Sequence, residues 1–142
     1  MKNHNLLLTN AFSELILLLQ FQPRVKGTMK LQYNELDRNI RLIKLTGKLD
    51  VYGVNSIDIE FIRCCSGDNL RVLVDLSGVN YISSIGIPML INSAKTVASR
   101  GGKLALFKPR PHVAEILELT GIPLIIPIYA DLASAKTGVL AA

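Results

Sequence analysis

Two adjacent hydroxyls interrupt the apolar stretch Tyr81, Ile82, Ser83, Ser84, Ile85, Gly86, Ile87. They fall between a β-branched run, Arg71 to Leu76, and a helix with the stripe Ile87, Leu90, Ile91, Ala94, Ala98. Serines at a helix start can do two things. An unmodified oxygen accepts from the first amides, which lack intrahelical partners. That makes Ser83 or Ser84 a helix cap, and Pro88 in the first turn is compatible with it. A phosphorylated serine faces the same amides and the positive end of the helix dipole, carrying about −1.5 to −2 charges. The domain can hold that charge, but a partner docking there meets repulsion and a desolvation cost. Gly86 would let a partner's backbone approach closely.

Other chemistry finds little support. No G-x-G-x-x-G, G-x-x-x-x-G-K-[ST] or H-E-x-x-H motif is present. Gly101, Gly102, Lys103 follows a helix and precedes a strand, the reverse of a phosphate cradle, so it reads as a turn. His112, beside Pro111, has no Cys, Asp or second His at ligand spacing and reads as a surface cap. A hydrolase built on Cys64 or Ser84 would lack an evident base. Cys64 and Cys65 are neighbours, too few for a disulfide framework or metal site. The expectation is one buried side chain, one partly exposed thiol and a reducing cytoplasm. No catalytic residue, cofactor or metal is expected.

The 142 residues provide for one domain. Half are apolar, which excludes a disordered chain. The net charge of +5 is scattered, with no basic cluster interleaved with aromatics, so nucleic acid is not expected as a partner. No apolar run is long enough for a transmembrane segment. Residues 1–28 form an apolar leader in which Leu8, Phe12, Leu15 and Leu19 recur at helical spacing. Pro23 ends it and Lys26 to Thr28 reads as linker. The leader is read as a helix packed on the domain or joining two copies as a homodimer, or as a non-native extension; a secretory signal lacks a cleavage site after Phe21. The domain proper is 29–142.

The elements that hold the serines follow from periodicity. Leu31, Tyr33 and Glu35 alternate, Asp37 to Asn39 supply a turn, and Ile40, Leu42, Ile43 and Leu45 form a second strand that Gly47 ends. Val54, Ile57, Phe61 and Cys64 make a helical stripe closed by Gly67. Arg71 to Leu76 reads as a strand buried on both faces, followed by a loop through Gly78 and Asn80. After the serine helix, Gly101 and Gly102 lead into a strand, Lys103 to Phe107. Pro109 and Pro111 introduce a helix with Val113, Ile116, Leu117 and Leu119. Leu124 to Ile128 reads as a last strand, and Asp131 caps a helix from Leu132 to about Val139. The fold class is α/β, a mixed sheet of about five strands with helices packed on it.

Four segments carry a family resemblance from Met29 to Ala135: Leu45 to Asp50, L-T-G-K-L-D; Val72 to Gly78, V-L-V-D-L-S-G; Tyr81 to Ile87, Y-I-S-S-I-G-I; and Gly101 to Phe107 with Ile116 to Ile122, I-L-E-L-T-G-I. In this order they resemble a STAS domain of the free-standing bacterial anti-sigma factor antagonist branch, with its SpoIIAA-like fold. The resemblance implies a binding protein, not an enzyme. Its partners would be an anti-sigma factor that is also a serine kinase, and a serine phosphatase; binding would release a sigma factor for transcription. The family motif D-S-[ST]-G-[LI], aligned on Gly86, implies Ser84 as the phosphorylation site. Ser83 then stands where an aspartate is usual and Ile85 where a second hydroxyl is usual. Asp50, Ser83, Ser84, Ile85, Gly86 and Met89 are the implied partner-binding residues, with Asn92 and Lys95 as exposed contacts. Asp50 reads equally as a helix cap. The alternative is a constitutive STAS scaffold, such as an accessory subunit of a lipid-trafficking ABC transporter.

Overall fold

The computed structural model describes residues 29–37 and 39–141. The expectations placed on residues 1–28 lie outside the described residues. Five strands lie in the order β1-β2-β3-β4-β5: β1 Lys30–Asp37, β2 Ile40–Leu49, β3 Arg71–Ile82, β4 Lys103–Phe107 and β5 Ile128–Tyr129. β1 is antiparallel to β2, and every other pairing is parallel. Between them run α1 Val51–Cys64, α2 Gly86–Ser99 and α3 Pro111–Leu119, with α4 Leu132–Leu140 at the end.

The sheet separates two apolar layers. Ile43, Leu45, Val72, Val74 and Leu106 join Phe61, Leu90 and Leu117 in the main core, under α1, α2 and α3. On the other face Leu73, Ala105 and Phe107 pack on Ala135 and Val139 of α4. β3 is therefore buried on both sides, as its uninterrupted apolar run requires. β1 is an edge strand: Tyr33 and Glu35 share Leu31's face but stay exposed, so only Leu31 of that triplet packs on the core.

Helix α1 shows how sequence becomes position. Its stripe Val54, Ile57, Phe61 and Cys64 is buried. The Asp50 carboxylate accepts from the Gly53 amide at 2.9 Å, which caps the helix start. At the other end Arg41 donates from Nη1 to the carbonyls of Cys64 and Ser66, both at 3.0 Å, satisfying acceptors the helix leaves open. Helix α4 is likewise capped, Asp131 accepting from the Ser134 amide at 2.8 Å. That bond holds the Asp131 carboxyl below its ordinary pKa.

Several boundaries differ from the expectations. Gly47 does not end β2; it sits inside the strand at φ 119°, beside a register shift that lets pairing run on to Leu49. The segment through Gly78 and Asn80 is strand, not loop. A Cβ on Gly78 would lie 2.8 Å from the Leu45 carbonyl oxygen, so glycine serves close strand approach there. Helix α1 ends at Cys64, before Gly67. Leu119 is exposed, because it lies two residues on from Leu117, off the face of α3 that buries Val113 and Leu117. The last strand is only Ile128–Tyr129. Residues Ile122–Leu124 form a 3-10 turn whose first carbonyl, that of Ile122, accepts from the Ile125 and Ile126 amides at 2.8 Å. Pro123 and Pro127 remove the donors a longer strand would need.

Both cysteines are buried, which corrects the expected exposed thiol: Cys64 sits on the core stripe and Cys65 closes the helix against α2. Burial pushes both thiols up, Cys65 to about 12. At neutral pH neither is a nucleophile. Ellman's reagent should therefore modify the native protein at about a tenth or less of its rate with the unfolded chain. Because Cys65 titrates near 9 when unfolded and about 12 when folded, the unfolded chain releases that proton first as pH rises. Its contribution to stability is complete below pH 9 and drains away from there towards 12, which urea titrations across that range measure.

Candidate functional site

β2 and β3 end side by side, Leu49 opposite Ile82, so the residues that follow each strand meet at one pole of the sheet. The Leu49 carbonyl accepts from the Ser83 amide at 3.1 Å and from the Ser83 hydroxyl at 3.3 Å. Ser83 is thus tied sideways to β2 and does not cap α2. Neither does Ser84: the helix begins at Gly86, with Ile85 in the cap position and no side-chain cap bond. The Gly86 amide is bonded to the Ser83 carbonyl at 3.0 Å, and Pro88 has no amide hydrogen. Of the two amides a cap side chain would serve, those of Ile87 and Pro88, the second is missing, which lowers the demand for a cap.

Ser84 is left in an exposed turn. Among the described residues no hydrogen bond engages its hydroxyl. A group anchored on both chain sides, exposed and without a partner, can enter a visiting active site and be covered by a partner's surface.

The neighbouring residues sort into surface and support. Ile85 is 42% exposed beside the serine. Asp50 directly follows Leu49, one peptide from the Ser83 anchor, and is partly exposed while capping α1. Asp50→Ala should cost about 1 kcal/mol in thermal or urea unfolding, whereas Asp50→Asn, which keeps a capping oxygen, should cost only a few tenths. Gly86 is not open to a partner. It is buried, and a Cβ there would lie 2.8 Å from Leu49 Cγ and 2.9 Å from the Leu49 oxygen. It lets α2 close onto β2. Met89 is buried as well, not an exposed contact, because α2 packs sideways on α1 as well as down on the sheet. Asn92 and Lys95 are exposed as expected.

Residues outside the expected set complete the pole. Val51 and Tyr52, the first two residues of α1, are 43% and 70% exposed, and Tyr81 at the end of β3 is 47% exposed. The signal was available, since Val51 and Tyr52 lie off the Val54, Ile57, Phe61 stripe. The last seven residues of β3 extend beyond β4, and side chains take the place of a neighbouring strand there. Arg110 Nε donates to the Ser77 carbonyl at 2.9 Å, and His112 Nε2 donates to the Asn80 carbonyl at 2.6 Å. A carbonyl only accepts, so His112 carries its proton on Nε2 in this bond. Its role is to brace the strand that carries the serine.

The STAS domain profile matches residues 32–135. The chain belongs to the STAS family. This STAS domain is 29% identical over 100 residues to BtrV of Bordetella bronchiseptica, covering 70% of the chain and 85% of BtrV. It is 23% identical over 104 residues to the anti-sigma F factor antagonist of Paenibacillus polymyxa, covering 72% and 89%. The crystal structure of an anti-sigma factor antagonist from Mycobacterium paratuberculosis superposes with a TM-score of 0.73 at 17% identity, over 82% of this chain and 97% of that one. That likeness fixes the STAS domain's fold, a mixed five-stranded sheet with helices packed on both faces. Among the described residues no helix is long and apolar enough to cross a membrane, and no group of three His, Cys, Asp or Glu could hold a metal ion.

Proposed function

We propose that this STAS domain is an anti-sigma factor antagonist whose docking surface is the pole around Ser84. The observation that carries the reading is the exposed, unbonded Ser84 hydroxyl among exposed apolar side chains. Val51, Tyr52, Tyr81 and Ile85 supply area to bury, and Asp50 supplies a charge at the margin. The names of the relatives support the same reading.

The partner is an anti-sigma factor with serine kinase activity. Engaged by the unmodified domain, it lets go of its sigma factor and transcription begins. Phosphate transferred to the Ser84 oxygen abolishes the engagement, and a serine phosphatase restores it. The domain itself turns over no substrate; it acts by binding, in the bacterial cytoplasm, where sigma factors meet RNA polymerase. Ser83, where an acid would be usual, leaves Asp50 as the acidic group nearest along the adjoining strand end.

Calorimetry of the full chain against a purified kinase-type anti-sigma factor of the same organism, loaded with its sigma factor, tests the reading. Saturable binding that displaces the sigma factor is expected. Binding that leaves the sigma factor in place, or no binding, points to a constitutive scaffold of the transporter-accessory kind and refutes the antagonist role.

A further inference from the structure

Among the described residues one polar side chain is buried: Ser93 on α2, 7% exposed. Alanine would fill the same place without taking a hydroxyl out of water. Ser93 lines a groove of about 330 Å³ between α1 and α2. That is the small end of the range for ligand pockets.

Two stripes build the groove. Asp58, Ile62 and Cys65 come from α1 and its C-terminal cap, and Met89, Ser93 and Thr96 from α2. Each set is spaced i, i+4, i+7, which keeps it on one helix face. Ile62, Met89 and Cys65 make an apolar wall. The polar groups set into it are rich in acceptors and short of donors. Thr96 donates its hydroxyl hydrogen to the Asn92 carbonyl at 2.9 Å, and Ser93 donates to the Cys65 sulfur. Both oxygens keep lone pairs. The Asp58 carboxylate is half-buried, and among the described residues no hydrogen bond or ion pair engages it. Only the Asn92 side-chain amide, at the rim, has hydrogens to spare.

We propose that this groove binds a small organic cation, a protonated primary amine with a short aliphatic body. An ammonium brings three donors and no acceptor, which matches the oxygens of Asp58, Ser93 and Thr96. The charge-assisted bond to Asp58 is the strongest of these and gives that carboxylate the partner its setting lacks. The aliphatic body displaces water from Ile62 and Met89. A neutral alcohol of the same shape would leave the Asp58 charge unpaired. An anion would be repelled by it, with one amide in its favour. The site runs along the bodies of α1 and α2, away from Val51, Tyr52, Tyr81 and Ile85, and does not depend on the Ser84 reading.

A magnetic-resonance titration of the full chain with n-pentylammonium chloride, at constant ionic strength, tests this. Saturable shifts of the backbone amides within residues 58–65 and 89–96 are expected. Pentanol and pentanoate, controls of the same length, should bind at least about tenfold more weakly. Asp58→Asn should weaken pentylammonium binding at least about tenfold. It breaks no bond of the fold, so its effect reads the site. Thr96→Val keeps the shape and removes one acceptor, and should weaken binding roughly fivefold. Shifts that never saturate, or that fall outside these two segments, overturn the proposal. Equal affinity for pentanol or pentanoate, or unchanged affinity in Asp58→Asn, shows that the groove does not select a cation and overturns it as well.

Discussion

Replacing Ser84 by Asp lowers affinity for the anti-sigma factor by at least about tenfold, or about 1.4 kcal/mol, with no change in the far-ultraviolet circular dichroism. The effect is local to the pole. The hydroxyl is exposed, and no hydrogen bond is lost when it is replaced. A carboxylate there is welcome to the isolated domain, since the positive end of α2 begins two residues later. In the complex it is unwelcome. Val51, Tyr52, Tyr81 and Ile85 make the surrounding surface apolar, so a docked partner would strip water from a charge without supplying a counter-ion. Phosphoserine, with about twice the charge, acts in the same direction and more strongly. Calorimetry with Ser84→Ala as control separates charge from shape. The alanine variant binds like the parent; equal affinity of the aspartate variant removes the electrostatic veto.

Gly53→Ala destabilises the fold by about 2 kcal/mol or more, although helix propensity alone favours alanine by about 1 kcal/mol. A Cβ at this place would lie 1.9 Å from the Lys48 carbonyl oxygen, which is backbone and cannot swing away. Helix α1 would have to lift from the end of β2. The displacement falls on Asp50, Val51 and Tyr52, so partner affinity drops together with the unfolding midpoint. Urea unfolding decides between the two principles: stabilisation by alanine would show that α1 does not approach β2 as closely as described.

How much of this was legible in the sequence depended on whether a feature is local. β4 is bounded by Gly101–Gly102 and by the prolines after Phe107, and those boundaries hold. The Asp131 cap and the Val54, Ile57, Phe61, Cys64 stripe are also local, and both hold. What failed was decided by neighbours distant in the chain. Gly78 and Asn80 have turn chemistry, but pairing with Thr46 to Leu49 draws them into β3. Met89 falls outside the sheet-facing stripe of α2, and only the presence of α1 alongside makes its position interior. Gly86 looked like an opening for a partner because Leu49, which occupies that space, lies far away in sequence. The serine pair was read correctly as the junction between a strand and a helix, but not in its capping role, since α2 begins without a side-chain cap bond. Which serine is anchored and which is free depended on the Leu49 carbonyl, again a non-local acceptor.

The central claim is that Ser84, and not Ser83, receives phosphate and so controls docking. The most direct measurement is the intact mass of the full chain after incubation with its kinase-type anti-sigma factor and ATP, alongside Ser84→Ala and Ser83→Ala. Addition of a single phosphate to the parent and to Ser83→Ala, with none on Ser84→Ala, is the predicted result. Phosphate on Ser84→Ala, or none on the parent while the two proteins bind, would contradict it.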